Sequence, residues 1–361
     1  MPTKKKIVIL YGGRSVEHGV SVNSARNIVE YINKDLFEPV PIGISKSGQW
    51  FLTPAVTKDI EQGKPLGLIL DPQRSGFTLL SSDDRFKADI IFPVLHGTDG
   101  EDGSIQGLIK AMDIPMVGTG VLGSAVSINK IVAKHLLKAA GLPVTKFLTY
   151  TFADQKKIKF SEIESKLGLP FMIKSASLGS SVGVSKVKSK KDFKEALEES
   201  FRYDDGVIME EFITGREIEC AILGNTPAQA SLPGEIVISK KYEFYTFDAK
   251  YVDPEAVEIH VPAKLDKVAS NLIREVSVKA FEALHCEDFA RVDLFLTKRN
   301  KVYINEINTI PGFTNSSMFP MMWKERGISF TDLITRLLDL AMERYNRGKR
   351  IERDFQSSLK F

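Results

Sequence analysis

The sequence has few of the features that mark secreted or membrane-spanning proteins. Its 361 residues include only two cysteines, Cys220 and Cys286, which lie far apart in the chain. A disulfide framework needs more cysteines in a small secreted chain, so we expect two buried, reduced thiols. No segment approaches the run of about 18 or more apolar residues that a membrane span requires.

The chain also shows no strong excess of charge and no clear targeting signal. Its 49 basic and 46 acidic residues nearly balance, so nothing in the composition calls for nucleic acid or an anionic membrane as partner. The basic start at Lys4-Lys5-Lys6 is followed by only a short aliphatic run, Ile7 to Leu10. This run is shorter than the roughly 7–15 residues of a signal-peptide core, so a cytoplasmic protein is predicted. The length suggests two or three domains.

Apolar patterns in the first third of the chain predict alternating strands and helices. Ile7 to Leu10 is typical of a buried strand, and Gly12-Gly13 ends it before apolar residues that recur at helical spacing from Val22 to Ile32. A second buried strand is predicted at 90–95. This alternation favours a parallel α/β sheet, and residues 46–86, rich in Gly, Pro, Ser and Asp, are predicted to be an elaboration of it.

The remaining two thirds are predicted to mix strands with longer helices. Helices are expected at 127–140, 268–284 and 329–345. The first of these would place Lys130 on its outer, solvated face, because its apolar side is expected to consist of Ile128, Ile131, Val132, Leu136 and Ala139. Strands are predicted on both sides of the small-residue turn at 179–183, and two more within 290–308.

The strands within 290–308 carry polar side chains on a common face. Because strand side chains alternate faces, Arg291 and Asp293 share one face, and Glu306 and Asn308 share one face of the next strand. If the two strands pair, Asp293 lies within one or two positions of Glu306. Carboxylates so close repel unless a cation neutralises them, and these hard oxygen ligands suit Mg²⁺ or Mn²⁺. Spacing alone leaves open a solvated edge hairpin in which Arg291 pairs with the acids.

These residues also carry a resemblance to a known family. Arg291-Val-Asp, with Asn305-Glu-Ile-Asn-Thr-Ile-Pro-Gly, resembles the metal-binding strands of the ATP-grasp superfamily. Three further segments resemble the D-alanine–D-alanine ligases within it: GGRSVEHGVS from Gly12, LHGTDGEDGSIQG from Leu95 and GSSVG from Gly179. The ordered match runs from about residue 7 to residue 341, and the ordered set is far more specific than any single segment.

The resemblance implies a fold and a domain division. The fold would be an α/β, three-domain ATP-grasp ligase with an N-terminal parallel-sheet domain, and α+β in the ATP-grasp part. The N-terminal substrate domain would span 1–122, the central ATP-grasp subdomain 123–212, and the C-terminal subdomain with metal site and lid 213–361.

The resemblance also implies a reaction and its partners. The reaction is ATP-dependent ligation of two D-alanines through an acylphosphate, for peptidoglycan precursor synthesis. ATP and two Mg²⁺ or Mn²⁺ ions would be needed, with Asp293, Glu306 and Asn308 as metal ligands. A homodimer is expected from the family alone.

Nucleotide-binding roles follow from the resemblance. The turn containing Ser180 and Ser181 would close over the ATP phosphates, with Lys130, Lys174 and the lid residue Lys250 contacting the nucleotide. The segment from Val207 to Ile213 would be a hinge that reads the adenine edge. The residues of this region implied to bind the nucleotide are Glu210, Glu211, Ile213, Glu217 and, on the metal strand, Asn305.

Substrate-binding and catalytic roles are implied in the same way. Glu17 would bind the first D-alanine's ammonium, with His96 nearby, and Tyr251 would join a hydrogen-bond network with Glu17 and Ser180. Arg291 would bridge the transferring phosphate and the tetrahedral intermediate, and the Gly312 N–H would be an oxyanion donor. Ser317 and Met318 would lie at the second D-alanine.

Two alternatives stay open at this stage. The acceptor could be D-lactate or D-serine, although a tyrosine at 251 favours D-alanine in the family. The chain could instead be a nucleotide-binding regulatory or scaffold protein without catalysis. The complete set of implied catalytic residues argues against this second alternative.

Overall fold

A computed structural model describes residues 3–82, 84–179, 183–239, 241–242, 253, 255–352 and 354. The predicted lid over 242–251 falls almost wholly outside these residues, as do Ser180, Ser181, Lys250 and Tyr251. The described strands form three sheets with helices packed on them. No helix among the described residues is long and apolar enough to span a membrane.

The first sheet has seven strands in the spatial order β6-β5-β4-β3-β2-β1-β7. Its strands are β1 (Lys5–Gly12), β2 (Phe37–Ile44), β3 (Trp50–Leu52), β4 (Lys64–Ile69), β5 (Gly76–Leu79), β6 (Arg85–Phe86) and β7 (Ile90–Pro93). The parallel pairing of β1 with β2 and β7 confirms the predicted parallel sheet. The 46–86 elaboration extends the same sheet as antiparallel strands, so the sheet as a whole is mixed.

Strand β1 is buried on both faces, which explains its continuous aliphatic run. Ile7 and Ile9 join the core cluster that contains helix α1 (His18–Tyr31) and the last helix, whereas Val8 and Leu10 join the cluster on the opposite face with α2 (Ser104–Ala111). The strand ends at Gly12, where φ is +94° and an added Cβ would lie 2.3 Å from the Ile44 carbonyl oxygen. Only glycine fits this turn into α1.

The second sheet is antiparallel and has the order β10-β9-β11-β8. It consists of β8 (Phe147–Thr151), β9 (Phe171–Ser175), β10 (Val184–Val187) and β11 (Gly206–Glu211), and it packs on α5 (Phe160–Leu167) and α6 (Lys190–Tyr203). Phe171 and Ile173 face these helices. Lys174, next along β9, therefore points to the other face, which lines a cleft.

The third sheet has the order β15-β14-β12-β16-β17, with β13 paired to β12. Its strands are β12 (Arg216–Leu223), β13 (Gln229–Ala230), β14 (Gly234–Ile238), β15 (Val257–His260), β16 (Phe289–Leu296) and β17 (Val302–Asn308). One face packs on α7 (Lys267–Ala283) through residues such as Cys220, Val292 and Ile307. The opposite face carries the polar residues of β12, β16 and β17.

The predicted helix at 127–140 is wrong in its boundaries and in its buried face. Two helices, α3 (Val121–Ile128) and α4 (Lys130–Ala139), meet at Asn129, whose side chain accepts a hydrogen bond from Val132 N and caps α4. The buried face of α4 consists of Lys130, Ala133, Lys134 and Leu137, whereas Val132 is exposed. Charged residues occupy the buried face because their ammonium groups find partners there.

The last two helices are α8 (Met318–Lys324) and α9 (Phe330–Gly348). Helix α9 packs back on the first sheet, because Leu333 and Leu337 share a core cluster with Ile7, Phe92 and α1. The C-terminal end of the chain therefore stabilises the N-terminal sheet, although the two lie some 300 residues apart in sequence, as the hydrogen bond from Thr331 Oγ1 to Tyr31 O also shows.

Candidate active site

A cleft of about 470 Å³ lies between the second and third sheets. Lys174 and Glu210 line it from one side, and Glu219, Asp293 and Glu306 from the other. The predicted hinge and adjoining residues complete the lining with Glu211, Ile213, Glu217 and Asn305. A larger cavity of about 640 Å³, beside Phe281, Cys286 and Arg344, contains none of the predicted site residues in its described lining.

The predicted pairing of the two metal strands is confirmed. Asp293 lies directly opposite Glu306, and Arg291 lies directly opposite Asn308. The register shifts by one residue between Asp293 and Leu294, so β17 bulges at Asn305. This bulge brings Asn305 to the cleft although it is adjacent to Glu306, and its Oδ1 accepts a hydrogen bond from Lys174 Nζ at 3.0 Å.

Asp293 accepts hydrogen bonds from two neighbouring side chains of the site. Arg291 donates to both of its oxygens at 2.7 Å, and Asn308 Nδ2 donates to Oδ2 at 2.9 Å. Glu306 Oε2 lies 3.6 Å from Lys130 Nζ. The planar fork of Arg291 therefore offsets the charge of Asp293.

The donor set fits a magnesium-type ion. Within the described ranges no three His, Cys, Asp or Glu side chains converge as a metal site. Two carboxylates and an amide are nevertheless the usual protein share for Mg²⁺, which keeps waters and substrate phosphates as its other ligands. Asn308 would contribute Oδ1, because its Nδ2 donates to Asp293.

A buried charge network lies on the side of the cleft formed by β9 and β11. Glu210 lies between two lysines, with Lys134 Nζ at 2.7 Å and Lys174 Nζ at 2.8 Å, and it also accepts from Thr145 Oγ1 at 2.6 Å. Burial alone would raise the pKa of Glu210, but the two ammonium groups lower it well below its ordinary value. Burial lowers the pKa of Lys134, and Glu210 opposes this effect.

This network bears on two predicted residues and adds a third. Glu210 is 2 % exposed and its carboxylate pairs with both lysines, whereas its contact with the adenine base stays a prediction. Lys130 is buried rather than solvated, and its Nζ donates to the Leu178 carbonyl beside the phosphate turn. The sequence pattern gave no sign of Lys134, although its spacing of four residues from Lys130 places both on one face of α4.

Glu211 and Ile213 lie at the rim of the cleft. Glu211 ends β11, and its Oε1 accepts a hydrogen bond from Lys146 N at 2.8 Å. The backbone of 212–215 continues from β11 into β12 along the cleft wall. This arrangement leaves backbone groups, rather than the Glu211 side chain, as the groups suited to reading a base edge.

The residues that are predicted to bind the amino-acid substrates lie where the first sheet meets the third. Glu17 precedes α1, and an added Cβ on Gly97 or Gly179 would lie 2.7 or 3.1 Å from its Oε2. Both glycines therefore allow the backbone to approach this carboxylate. Ser317 Oγ accepts from Thr314 N at 3.0 Å at the start of α8.

His96 and Met318, two residues predicted at the substrate site, have contacts that the sequence did not predict. Ile310 O can only accept, so His96 Nδ1 donates to it at 2.8 Å and the neutral Nε2 accepts from Ser24 Oγ at 3.1 Å. Burial lowers the pKa of His96, consistent with this neutral form. His96 thus positions the loop that leads to Gly312. Met318 is buried in the core, with its Cε beside Gly234.

Glu101 adds a buried acid to this region that the sequence reading did not single out. Its Oε1 accepts a hydrogen bond from Gly97 N at 2.9 Å. Burial, and then the nearby Glu17 carboxylate, raise the pKa of Glu101 from 4.5 to about 8. The folded protein therefore holds a proton on Glu101 at neutral pH.

This raised pKa leads to a testable pH dependence. A carboxyl whose pKa is raised on folding stabilises the fold fully below its unfolded pKa and loses that contribution as the pH rises towards the folded value. Glu101→Gln mimics the protonated form and does not titrate. The difference in free energy of unfolding between the variant and the wild type should therefore rise in favour of the variant, by up to about 1.4 kcal/mol per pH unit between pH 5 and 8. Urea unfolding at several pH values measures this difference.

The comparison isolates Glu101 from other titrating groups. Burial also raises the pKa of Asp288, to about 7, but this residue titrates alike in both proteins and cancels in the difference. A difference that stays constant from pH 5 to pH 8 would show that Glu101 is ionised in the folded protein.

Solved structures of other proteins identify the class of fold to which this chain belongs. The chain superposes on the D-alanine–D-alanine ligase of Coxiella burnetii with a TM-score of 0.86, at 36% identity over 96% of both chains. It also superposes on the VanG D-Ala:D-Ser ligase of Enterococcus faecalis with a TM-score of 0.85, at 36% identity over 94% of this chain and all of that one. The fold is that of an ATP-grasp ligase.

Sequence comparisons identify the family. The family models described as D-ala D-ala ligase N-terminus and D-ala D-ala ligase C-terminus match residues 6–119 and 136–339. A D-alanine–D-alanine ligase of Shouchella clausii is 45% identical over 97% of this chain and 98% of its own length. The chain belongs to the D-alanine–D-alanine ligase family.

Proposed function

We propose that this protein joins two D-alanine molecules with consumption of ATP, to make a dipeptide for peptidoglycan precursors. The observation that carries this proposal is the pairing of Asp293 with Glu306 beside Arg291, on the wall of a cleft whose other wall holds Lys174. Such an array concentrates positive charge and cation ligands where phosphates would lie.

The proposed chemistry proceeds in two steps. The carboxylate of the first D-alanine takes the terminal phosphoryl group of ATP, which gives an acylphosphate and ADP. The amine of the second D-alanine then attacks the acyl carbon, a C–N bond forms, and phosphate leaves as the amine loses a proton. The enzyme forms no covalent bond in either step.

The residues of this chain would bind and orient the groups that react. Lys130 and Lys174 supply positive charge beside the phosphate turn, and the planar fork of Arg291 suits both the phosphoryl oxygens and a tetrahedral intermediate. Two Mg²⁺ or Mn²⁺ ions, held at Asp293, Glu306 and Asn308, would neutralise phosphate charge when bound. Gly312 N is proposed as the oxyanion donor.

Substrate recognition is proposed to occur at the junction of the first and third sheets. The Glu17 carboxylate would bind the ammonium of the first D-alanine, and Ser317 the carboxylate of the second. We retain the three-domain division at about residues 122 and 212, which separates the strands of the three sheets, together with a cytoplasmic, homodimeric enzyme. Ser180, Ser181, Lys250 and Tyr251 keep their proposed roles from the family resemblance.

D-Serine is a second candidate for the acceptor. The chain is 36% identical both to the VanG D-Ala:D-Ser ligase of Enterococcus faecalis and to the D-alanine–D-alanine ligase of Coxiella burnetii. The overall fold therefore does not discriminate between the two acceptors. The discrimination has to arise from the few side chains at the second amino-acid site.

The test is a product assay with the purified protein, ATP and Mg²⁺. D-Alanine alone should stimulate phosphate release and give D-alanyl-D-alanine by mass spectrometry. Equimolar D-alanine with D-serine or D-lactate, measured at several pH values, then reports the preferred acceptor. ADP formation without a ligated product would contradict the proposal. If D-alanyl-D-serine or D-alanyl-D-lactate predominates, D-serine or D-lactate is the preferred acceptor instead of D-alanine.

A further inference from the structure

Glu219 extends the pair of metal-strand acids into a row of three. It lies directly opposite Asp293 on β12, just as Glu306 lies directly opposite Asp293 on β17. The three side chains therefore project from the same face of three neighbouring strands. Glu219 is the most deeply buried of them, with 5% of its side chain exposed, compared with 17% for Asp293 and 26% for Glu306.

Arg291 contacts two of these three acids with the same nitrogen. Its Nε lies 2.7 Å from Asp293 Oδ1 and 3.0 Å from Glu219 Oε2. Ala221 lies directly opposite Arg291 and shares a face with Glu219, so no long side chain stands between the guanidinium and Glu219. A small shift of the guanidinium towards β12 would therefore break its contact with Asp293 and strengthen its contact with Glu219.

The proposed metal site creates a competition for Asp293. Asp293 accepts both prongs of the Arg291 fork, yet the same oxygens are proposed to ligate a divalent cation. A cation that binds Asp293 has to displace at least part of this fork. It would also lie beside a positively charged guanidinium, and this repulsion opposes metal binding.

We propose that Glu219 is a positioning residue that holds Arg291 when Asp293 turns to the divalent cation. This inference rests on the proposed roles of Asp293 and Glu306 as metal ligands. Glu219 keeps a charged hydrogen-bond partner for Arg291 and neutralises it beside the ion. The guanidinium then stays at the cleft wall, in position for the phosphoryl group.

A role as a third metal ligand is the main alternative. The described acids do not converge as a group of three or more potential ligands, which argues against it. The two roles also differ in their dependence on Arg291. A direct ligand should matter whether or not Arg291 is present, whereas a positioning residue should matter mainly when Arg291 competes for Asp293.

The experiment is a double-mutant cycle read by Mn²⁺ binding. Electron paramagnetic resonance measures Mn²⁺ affinity in the presence of ADP for the wild type, Glu219→Gln, Arg291→Met and the double variant. Glu219→Gln should weaken Mn²⁺ about tenfold in the wild-type background but less than about threefold in the Arg291→Met background. Glu219→Asp, which keeps the charge but shortens its reach, provides a second variant with an intermediate, Arg291-dependent loss.

The outcomes separate the role of Glu219 from the existence of the metal site. Equal weakening in both backgrounds, or no weakening in either, would overturn the role of Glu219 while the metal site stands. Wild-type protein that binds no Mn²⁺, or Glu306→Ala that binds it as tightly as the wild type, would overturn the metal site itself and the role of Glu219 with it.

Discussion

Replacing Glu306 with alanine is expected to lower D-alanine-dependent turnover by about 1,000-fold, which corresponds to roughly 4 kcal/mol of transition-state stabilisation. Glu306 pairs directly with Asp293 and is one of two carboxylates available for a divalent cation. The phosphates would then lack much of their charge neutralisation. Phosphate release with saturating ATP, Mg²⁺ and D-alanine measures the loss.

The fold should survive this substitution. The Glu306 side chain is 26% exposed, and its ion pair with Lys130 spans 3.6 Å, so we expect this pair to contribute little to stability. Glu275→Ala, which removes an exposed helix carboxylate paired with Lys279, is the matched control and should retain full activity. Turnover by Glu306→Ala within tenfold of the wild type would rule out Glu306 as a metal ligand.

Replacing Glu210 with glutamine is expected to reduce the free energy of unfolding by about 3–5 kcal/mol. The substitution removes the carboxylate between Lys134 and Lys174, so two buried ammonium groups lose their shared counter-charge. Each group is costly to bury without a partner, because desolvation favours its neutral form. Chemical unfolding followed by circular dichroism measures this destabilisation.

A second substitution should reverse much of this loss. Adding Lys134→Met to Glu210→Gln removes one of the two unpaired charges, and Lys174 still has Asn305 as a hydrogen-bond partner. Glu198→Gln makes the same chemical change at an exposed carboxylate on α6, so it is the matched control and should leave the free energy of unfolding unchanged. If Glu210→Gln unfolds like the wild type, the buried network does not stabilise the fold.

The metal strands were predictable because two simple rules act there together. Strand alternation puts Asp293 with Arg291 and Glu306 with Asn308, and a short turn brings the two strands into register. The position of Asn305 was not accessible by alternation, because a bulge adds one residue between its neighbours. Its nucleotide role came only from the family resemblance.

Helix α4 shows why periodicity failed elsewhere. Apolar spacing favoured a face with Val132, but the fold buries Lys130 and Lys134 instead. Those lysines are satisfied by Glu210, Glu306 and the Leu178 carbonyl, all from distant parts of the chain. A sequence pattern contains no information on such partners, so it assigned Lys130 to solvent and did not single out Lys134.

Similarly, His96 was recognised as a site residue but its partners were not. Its location at the end of β7 before two glycines marked it, whereas its bonds to Ser24 and Ile310 depend on contacts 72 and 214 residues away. These contacts connect the first sheet to the loop after β17. His96 therefore supports that loop, and its predicted place near the first D-alanine stays a prediction.

The chain of hydrogen bonds through His96 also constrains recombination within the family. Phe313 N donates to Ser24 Oγ, and His96 bridges Ser24 to Ile310, so two side chains of the first sheet region help to shape the segment around Gly312. A chimera spliced near residue 122 therefore keeps the native geometry of this segment only when one parent supplies Ser24 and His96 and the other presents the Ile310 and Phe313 backbone groups in the same place. Compatibility of fragments, and not their separate stability, should decide which hybrids are active.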